Sequence, residues 1–149
     1  MRDVKASAIS DMVRKLFMEA NVFIGKDVLQ RLKQCEEQER SEIGKSVLRQ
    51  IIENDGIAAE EKVPICQDTG MAVLFVDLGQ EVHVVDGGFQ EAIEEGVRRA
   101  YMDGYLRKSV VSDPLFERKN TKDNTPSITH LRVVPGDRIR ILVAPKGFG

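Results

Sequence analysis

The sequence predicts an α+β fold: a helical N-terminal layer packed on a small, mostly antiparallel sheet that carries one long helix. Three observations predict it. Residues 4–54 carry apolar side chains at helical spacing in three successive runs. From residue 57 the pattern gives way to short β-branched runs punctuated by glycine. Residues 89–107 then return to helical spacing over about five turns.

The first helix covers residues 4–20, with Ile9, Val13, Leu16, Phe17 and Ala20 on one face and charges between them; Asn21 and Gly25 break it. A second helix over 27–38 takes Asp27 as its N-cap and lines up Val28, Leu32 and Cys35, which makes Cys35 a small core residue. Ser41 starts a third helix over 42–54 with Ile43, Val47 and Ile51 inward, Leu48 and Ile52 beside them, and Asn54-Asp55-Gly56 as its stop. Residues 1–56 are thus the helical layer, and residues 57–149 the sheet and long helix. Residues 63–66 are extended. Residues 72–78 form a buried strand that Gly79-Gln80 turns onto residues 82–85 as a hairpin. The long helix presents Phe89, Ile93, Gly96, Val97, Ala100 and Tyr101 on one face, and Gly96 lets that face approach a neighbour closely. Residues 108–126 have no periodicity, and an irregular stretch of this length is functional or mobile. Residues 128–134 and 138–144 are two strands around Pro135-Gly136-Asp137.

A chain of 149 residues suits one domain, and 42% hydrophobic with 31% charged residues marks it as globular. A net charge of −2 argues against a general nucleic-acid binder. No apolar run reaches the about 18 residues of a membrane span. Asp3, Asp11 and Glu19 are unlike a transit peptide, so the cytoplasm is the expected compartment. There, Cys35 and Cys66 are thiols or metal ligands rather than a disulfide framework. Lys146-Gly147-Phe148-Gly149 follows a strand-like run, and glycine-rich turns lead into further elements; the chain therefore reads as an incomplete domain of a larger subunit.

The chemistry centres on Pro64-Ile65-Cys66-Gln67-Asp68-Thr69-Gly70. A structural thiol is flanked by alternating apolar residues, whereas Cys66 is followed by four polar or glycine residues. Metal ligation and nucleophilic catalysis are both open to it. A nucleophile needs a histidine base, and the two histidines, His83 and His130, lie in strands with no neighbouring acid to orient them. Zinc lacks a Cys-x-x-Cys or His-x-x-x-His pair, and an iron–sulfur cluster needs further thiolates from outside residues 1–149. Arg107 ends the long helix, where it suits either a substrate carboxylate or the helix C-terminus, the second being favoured by position alone. Arg98 and Arg99 face solvent or ion-pair partners. Residues 145–149 have the glycines and lysine of an anion-binding loop without the full phosphate-loop pattern.

Taken together, five blocks in register point further. Pro64-Ile65-Cys66-Gln67-Asp68-Thr69-Gly70, Glu95-Gly96-Val97-Arg98-Arg99, Tyr105-Leu106-Arg107-Lys108-Ser109, Glu117-Arg118-Lys119-Asn120-Thr121 with Asp123-Asn124-Thr125-Pro126, and Ala144-Pro145-Lys146-Gly147-Phe148-Gly149 resemble the N-terminal part of class I fumarases and L-tartrate dehydratases. The form is most similar to the alpha subunit of the two-subunit enzymes. The resemblance implies a [4Fe-4S] hydro-lyase that reversibly adds water to, or removes it from, a small dicarboxylate. It matches Cys66 to a cluster ligand, and Gln67, Asp68, Arg107 and Gly149 to substrate-binding positions. Arg107 thereby becomes a carboxylate clamp rather than a helix-end cation. The resemblance further implies cluster ligands and a catalytic acid/base beyond residue 149, a beta subunit and an oligomer. The alternative is an inactive fragment that serves only as an assembly or binding module.

Overall fold

The computed structural model describes residues 1–148. Its elements are β1 (Arg2–Lys5), α1 (Ala6–Val22), α2 (Lys26–Gln38), α3 (Glu42–Glu61), β2 (Met71–Gly79), β3 (Val82–Val85), α4 (Phe89–Asp103), β4 (Ile128–Val134) and β5 (Ile139–Lys146). The α+β class is as expected. The chain forms two compact units, one of residues 1–19 with the residues from Asp68 onward, the other of residues 20–67. No described helix is long and apolar enough to cross a membrane.

In the first unit, β2 is the centre of a three-stranded sheet of order β4-β2-β5, parallel to β4 and antiparallel to β5. The expected hairpin of β2 with β3 does not form. Instead β3 pairs in parallel with β1, a strand the sequence reading missed. The reason is that both edges of β2 are already occupied. The N–H groups at its end and just beyond, on Gly79, Gln80 and Glu81, donate to the carbonyls of Arg138, Val134 and Gly136. They pin the chain to the β4–β5 connection and send β3 away. Two of the three ladders are parallel, which corrects the expectation of a mostly antiparallel sheet.

One side of β2, through Ala72, Leu74 and Val76, packs on α1 and α4 around Ile9, Val13, Phe17, Ile93, Val97, Ala100 and Tyr101. This is the face that helical spacing assigned to α4, except that Phe89 is only half-buried. A Cβ on Gly96 would stand 2.6 Å from Val13 Cβ and 2.7 Å from Ser10 O, so glycine is what allows α1 and α4 to touch. The helix stops at Asp103, four residues before the expected end at 107.

The second unit holds the last turn of α1, α2, α3 and the segment to Gln67. Asp27 is not the N-cap of α2; Gly25 is, without a side-chain bond, and Asp27 lies in the first turn. Ser41 does cap α3, accepting from Gly44 N at 3.2 Å. The expected stop at Asn54-Asp55-Gly56 is overridden, and α3 runs on to Glu61 and ends on left-handed Lys62 (φ 56°). A mid-helix glycine costs only about 1 kcal/mol, and the added turns bury Asp55 and Ala58. Ile43, Val47 and Ile51 do share a stripe with these two, but they are exposed, Ile43 by 79%, and Leu48 and Ile52 are only half-buried. Periodicity says which residues share a face, not whether that face is covered. Cys35 is likewise half-buried rather than core.

Asp55 is 5% exposed, and its Oδ2 has no hydrogen-bond partner among the described residues. Burial raises its pKa above the ordinary carboxylate value. The folded chain therefore holds this proton more tightly than the unfolded chain, so the site costs nothing in acid. The penalty grows as pH rises through the raised pKa and is complete above it. Asp55→Asn is expected to add about 1 kcal/mol of stability at pH 7, or roughly 3 °C in melting temperature. The gain should shrink as the pH is lowered toward 4. A thermal melt with no gain at pH 7, or with an equal gain at both pH values, would remove the argument.

Candidate functional site

Cys66 and Gln67 close the second unit. The residue before them is pinned at both backbone ends, since Ile65 N donates to Asn21 O at 2.9 Å and Asn54 Nδ2 donates to Ile65 O at 2.9 Å. Thus α3 running past Asn54 has a local use: it delivers the amide that anchors the cysteine segment. Beyond this anchor Cys66 is exposed, with its Sγ 3.3 Å from Gln67 Oε1.

Asp68 reopens the first unit, and its carboxylate is oriented by backbone donors: Gly70 N to Oδ1 at 3.0 Å and Phe148 N to Oδ2 at 3.2 Å. The second bond ties Asp68 to the turn after β5. Gly70 has φ +73°, and a Cβ there would lie 2.5 Å from the Lys146 carbonyl carbon, so only glycine lets the two strands of chain lie this close. Lys146 Nζ bonds the Gly147 carbonyl and lies 4.6 Å from the centre of the Phe148 ring. Pro145 and Lys146 belong to β5 rather than to a loop. Gly149 lies outside the described residues.

Arg107 stands four residues beyond the end of α4, where Gly104 is the cap. Its side chain is exposed and no ion pair engages it among the described residues. Its backbone is held by Thr69, whose buried hydroxyl accepts from Arg107 N at 2.8 Å and donates to Arg107 O at 3.3 Å. In this unit, therefore, the structure brings together Asp68, Arg107 and residues 146–148.

Three residues that the sequence reading did not single out build this arrangement. Tyr101, fully buried on α4, donates from its hydroxyl to Thr69 O and Gly70 O, each at 3.0 Å. Burial, with a smaller contribution from the negative charge of Asp68, raises its phenol pKa well above the ordinary value. Asn124 is fully buried and left-handed (φ 63°), a conformation asparagine tolerates better than most residues. It donates to Gly70 O at 3.1 Å and accepts from Ser109 N and Val110 N at 2.8 and 3.2 Å. Thr69 is the third.

The stretch from 108 to 126 is irregular, as expected, and is held by side chains that imitate backbone turns. Asp113 Oδ1 accepts from Leu115 N and Phe116 N, Asn120 accepts from Lys122 N, and Asp123 accepts from Thr125 N. Arg98 anchors the far end through Asp123 at 3.0 Å, and Glu94 anchors it through Ser127. Burial alone would raise the Asp123 pKa, but the Thr125 bonds and Arg98 bring it below the ordinary value. Arg99 pairs with Asp11 at 2.8 Å, so both mid-helix arginines have partners.

The histidines stand elsewhere. Parallel pairing sets His83 opposite Asp3, with Nδ1 to Oδ1 at 3.2 Å, which corrects the expectation that it has no acid beside it. Both groups are exposed. His130 stacks on Phe75 at 4.9 Å between ring centres. No group of three or more His, Cys, Asp or Glu side chains among the described residues could hold a metal ion. An iron–sulfur cluster takes about three or four thiolates, so an exposed Cys66 fits one corner of a site completed by other residues, and nothing more.

The model of the fumarate hydratase (Fumerase) family matches residues 10–149. A Methanocaldococcus jannaschii protein provisionally named L(+)-tartrate dehydratase subunit alpha is 40% identical over 145 residues, 95% of this chain and 51% of its own length. The aerobic class I fumarate hydratase of Escherichia coli K12 is 32% identical over 98% of this chain and 27% of its own. The L(+)-tartrate dehydratase subunit alpha of Escherichia coli UTI89 is 32% identical over 83% of this chain and 41% of its own. The chain thus spans between about a quarter and about half of the length of these relatives.

Proposed function

Because the chain belongs to the fumarate hydratase family, we propose that it supplies one wall of the active site of a [4Fe-4S]-dependent hydro-lyase acting on a small dicarboxylate, fumarate/malate or tartrate/oxaloacetate. The observation that carries the reading is that Thr69, the residue after Asp68, holds both backbone groups of Arg107 through its buried hydroxyl. A dicarboxylate needs a cation for each carboxylate and an acceptor for its hydroxyl. The exposed Arg107 guanidinium suits a two-point grip on one carboxylate. The Asp68 carboxylate, oriented by Gly70 N and Phe148 N, suits the substrate hydroxyl as acceptor. Gln67, which follows Cys66 in the chain, is a further substrate-binding residue in this reading, on the family resemblance alone. Cys66 would be one cluster thiolate. When bound, the cluster supplies a Lewis-acidic iron that polarises the substrate. Gly149 is proposed as a substrate-binding residue on the family resemblance alone.

The remaining ligands and the acid/base come from the rest of the alpha subunit and from a beta subunit in an oligomeric, cytoplasmic enzyme. Two free cysteines suit that compartment. The test is anaerobic reconstitution of the complete alpha and beta polypeptides with iron and sulfide. A brown protein that hydrates fumarate or dehydrates tartrate is the expected result. A colourless assembly with full activity would remove the cluster from the reading, and a coloured one inert toward both substrates would remove the hydro-lyase.

A further inference from the structure

Arg107 has an unusual backbone. The residues on both sides of it are anchored to the core of the first unit: Leu106 is buried and its N–H donates to Tyr101 O at 3.2 Å, while Ser109 and Val110 donate to the fully buried Asn124. Arg107 lies between these anchors outside any helix or strand. Its own N–H and C=O both bond one atom, Thr69 Oγ1. A donor and an acceptor on the same residue held by one hydroxyl set the orientation of both peptide planes at Arg107, and hence the direction in which its side chain leaves the backbone.

Thr69 is itself immobilised. It is 3% exposed, and its carbonyl accepts from Tyr101, whose ring packs against Phe17 with centres 6.2 Å apart. It also follows Asp68 directly in the chain, so any tilt of residue 69 is shared with that carboxylate. We infer that Thr69 is a positioning residue for the dicarboxylate: its hydroxyl sets where Arg107 points relative to Asp68, and it acts on substrate through that arginine without touching it. This rests on the functional reading above and adds to it a residue whose side chain faces the protein interior.

The distinction from a merely structural threonine lies in coupling. Thr69→Val keeps the shape and loses both bonds; Thr69→Ser keeps the hydroxyl. In the complete reconstituted enzyme, Thr69→Val is expected to raise KM for the dicarboxylate about 10-fold while changing kcat less than about 3-fold, and Thr69→Ser to stay within about 3-fold of wild type in both. Added to Arg107→Ala, Thr69→Val should raise KM by no further factor, because the group it positions is gone. Equal factors in the two backgrounds, or a serine variant as impaired as the valine, would overturn the inference. A wild-type enzyme without turnover would instead overturn the functional reading. The clamp is then decided on the 149-residue chain by amide exchange at Arg107. Exchange at least about 10-fold faster in Thr69→Val supports the clamp, and an unchanged rate rejects it.

Discussion

Alanine at position 66 is expected to abolish the iron–sulfur absorbance of the reconstituted enzyme and, with it, turnover. In the proposed reading the thiolate is both a strong donor to iron and a charge that the cluster needs. The Gln67 amide oxygen, 3.3 Å from Sγ, is neutral and a poor iron ligand. Cys66 is exposed, so its loss opens no cavity and folding should survive. Melting temperature should therefore stay within about 2 °C of wild type while colour disappears. Cys35→Ala is the control. Cys35 lies on α2, half-buried, and its replacement should leave the absorbance intact. If Cys66→Ala assembles with full colour, or if Cys35→Ala loses as much, Cys66 is not the ligand.

The second large effect is expected at Arg107. A two-point grip on a carboxylate comprises two charge-assisted hydrogen bonds of about 1.5–3 kcal/mol each, so Arg107→Ala should lower kcat/KM by about 10²–10⁴-fold. Arg107→Lys should recover only part of this, since an ammonium lacks the planar fork. The side chain is exposed and enters no ion pair among the described residues. Truncation should therefore leave the fold intact, which separates loss of binding from loss of protein. Steady-state kinetics indistinguishable from wild type would remove Arg107 from the substrate wall.

The two substitutions probe different parts of the reading. Position 66 reports on the cofactor, position 107 on the substrate, and Thr69 on what aligns the second with Asp68. The three results are separable because the residues contribute different chemistry: a metal donor, a cation and a neutral hydroxyl.

Much of the helical architecture could be read from the chain. Periodicity found α1 and α4 and most of their buried faces, because both helices bury a stripe against one sheet. Ser41 as a cap was legible from its side chain alone, since a capping bond spans three residues. The motif around Cys66 stands out in the chain by its chemistry, four polar or glycine residues beside a thiol, and its role is the one proposed above. The stop of α3 was misplaced because local propensity at Asn54-Asp55-Gly56 is weak against the burial of Ala58 in the turns that follow. The helical end of α4 was overrun for the opposite reason: residues 104–107 keep helical composition, but Gly104 and left-handed Tyr105 take the chain out of it.

What the sequence determined by itself, then, is local: which segments are helical or extended, which side chains can bind a cation, an anion or a metal, and which blocks match a family. Tertiary structure decided the pairings. That β3 joins β1 and not β2 depends on β4 and β5 having filled both edges of β2, strands that lie about 50 residues or more further along the chain. That Thr69, next to Asp68, holds the backbone of Arg107 depends on α4 ending where its hydroxyl can reach, 38 residues away in sequence. The roles of Tyr101 and Asn124 were hidden for the same reason. Each looked like an ordinary helix-face or loop residue, and each acquires its partners only when the chain closes on Gly70. Spacing along a chain encodes periodic faces, whereas a hydrogen bond across 38 residues is set by how those faces pack.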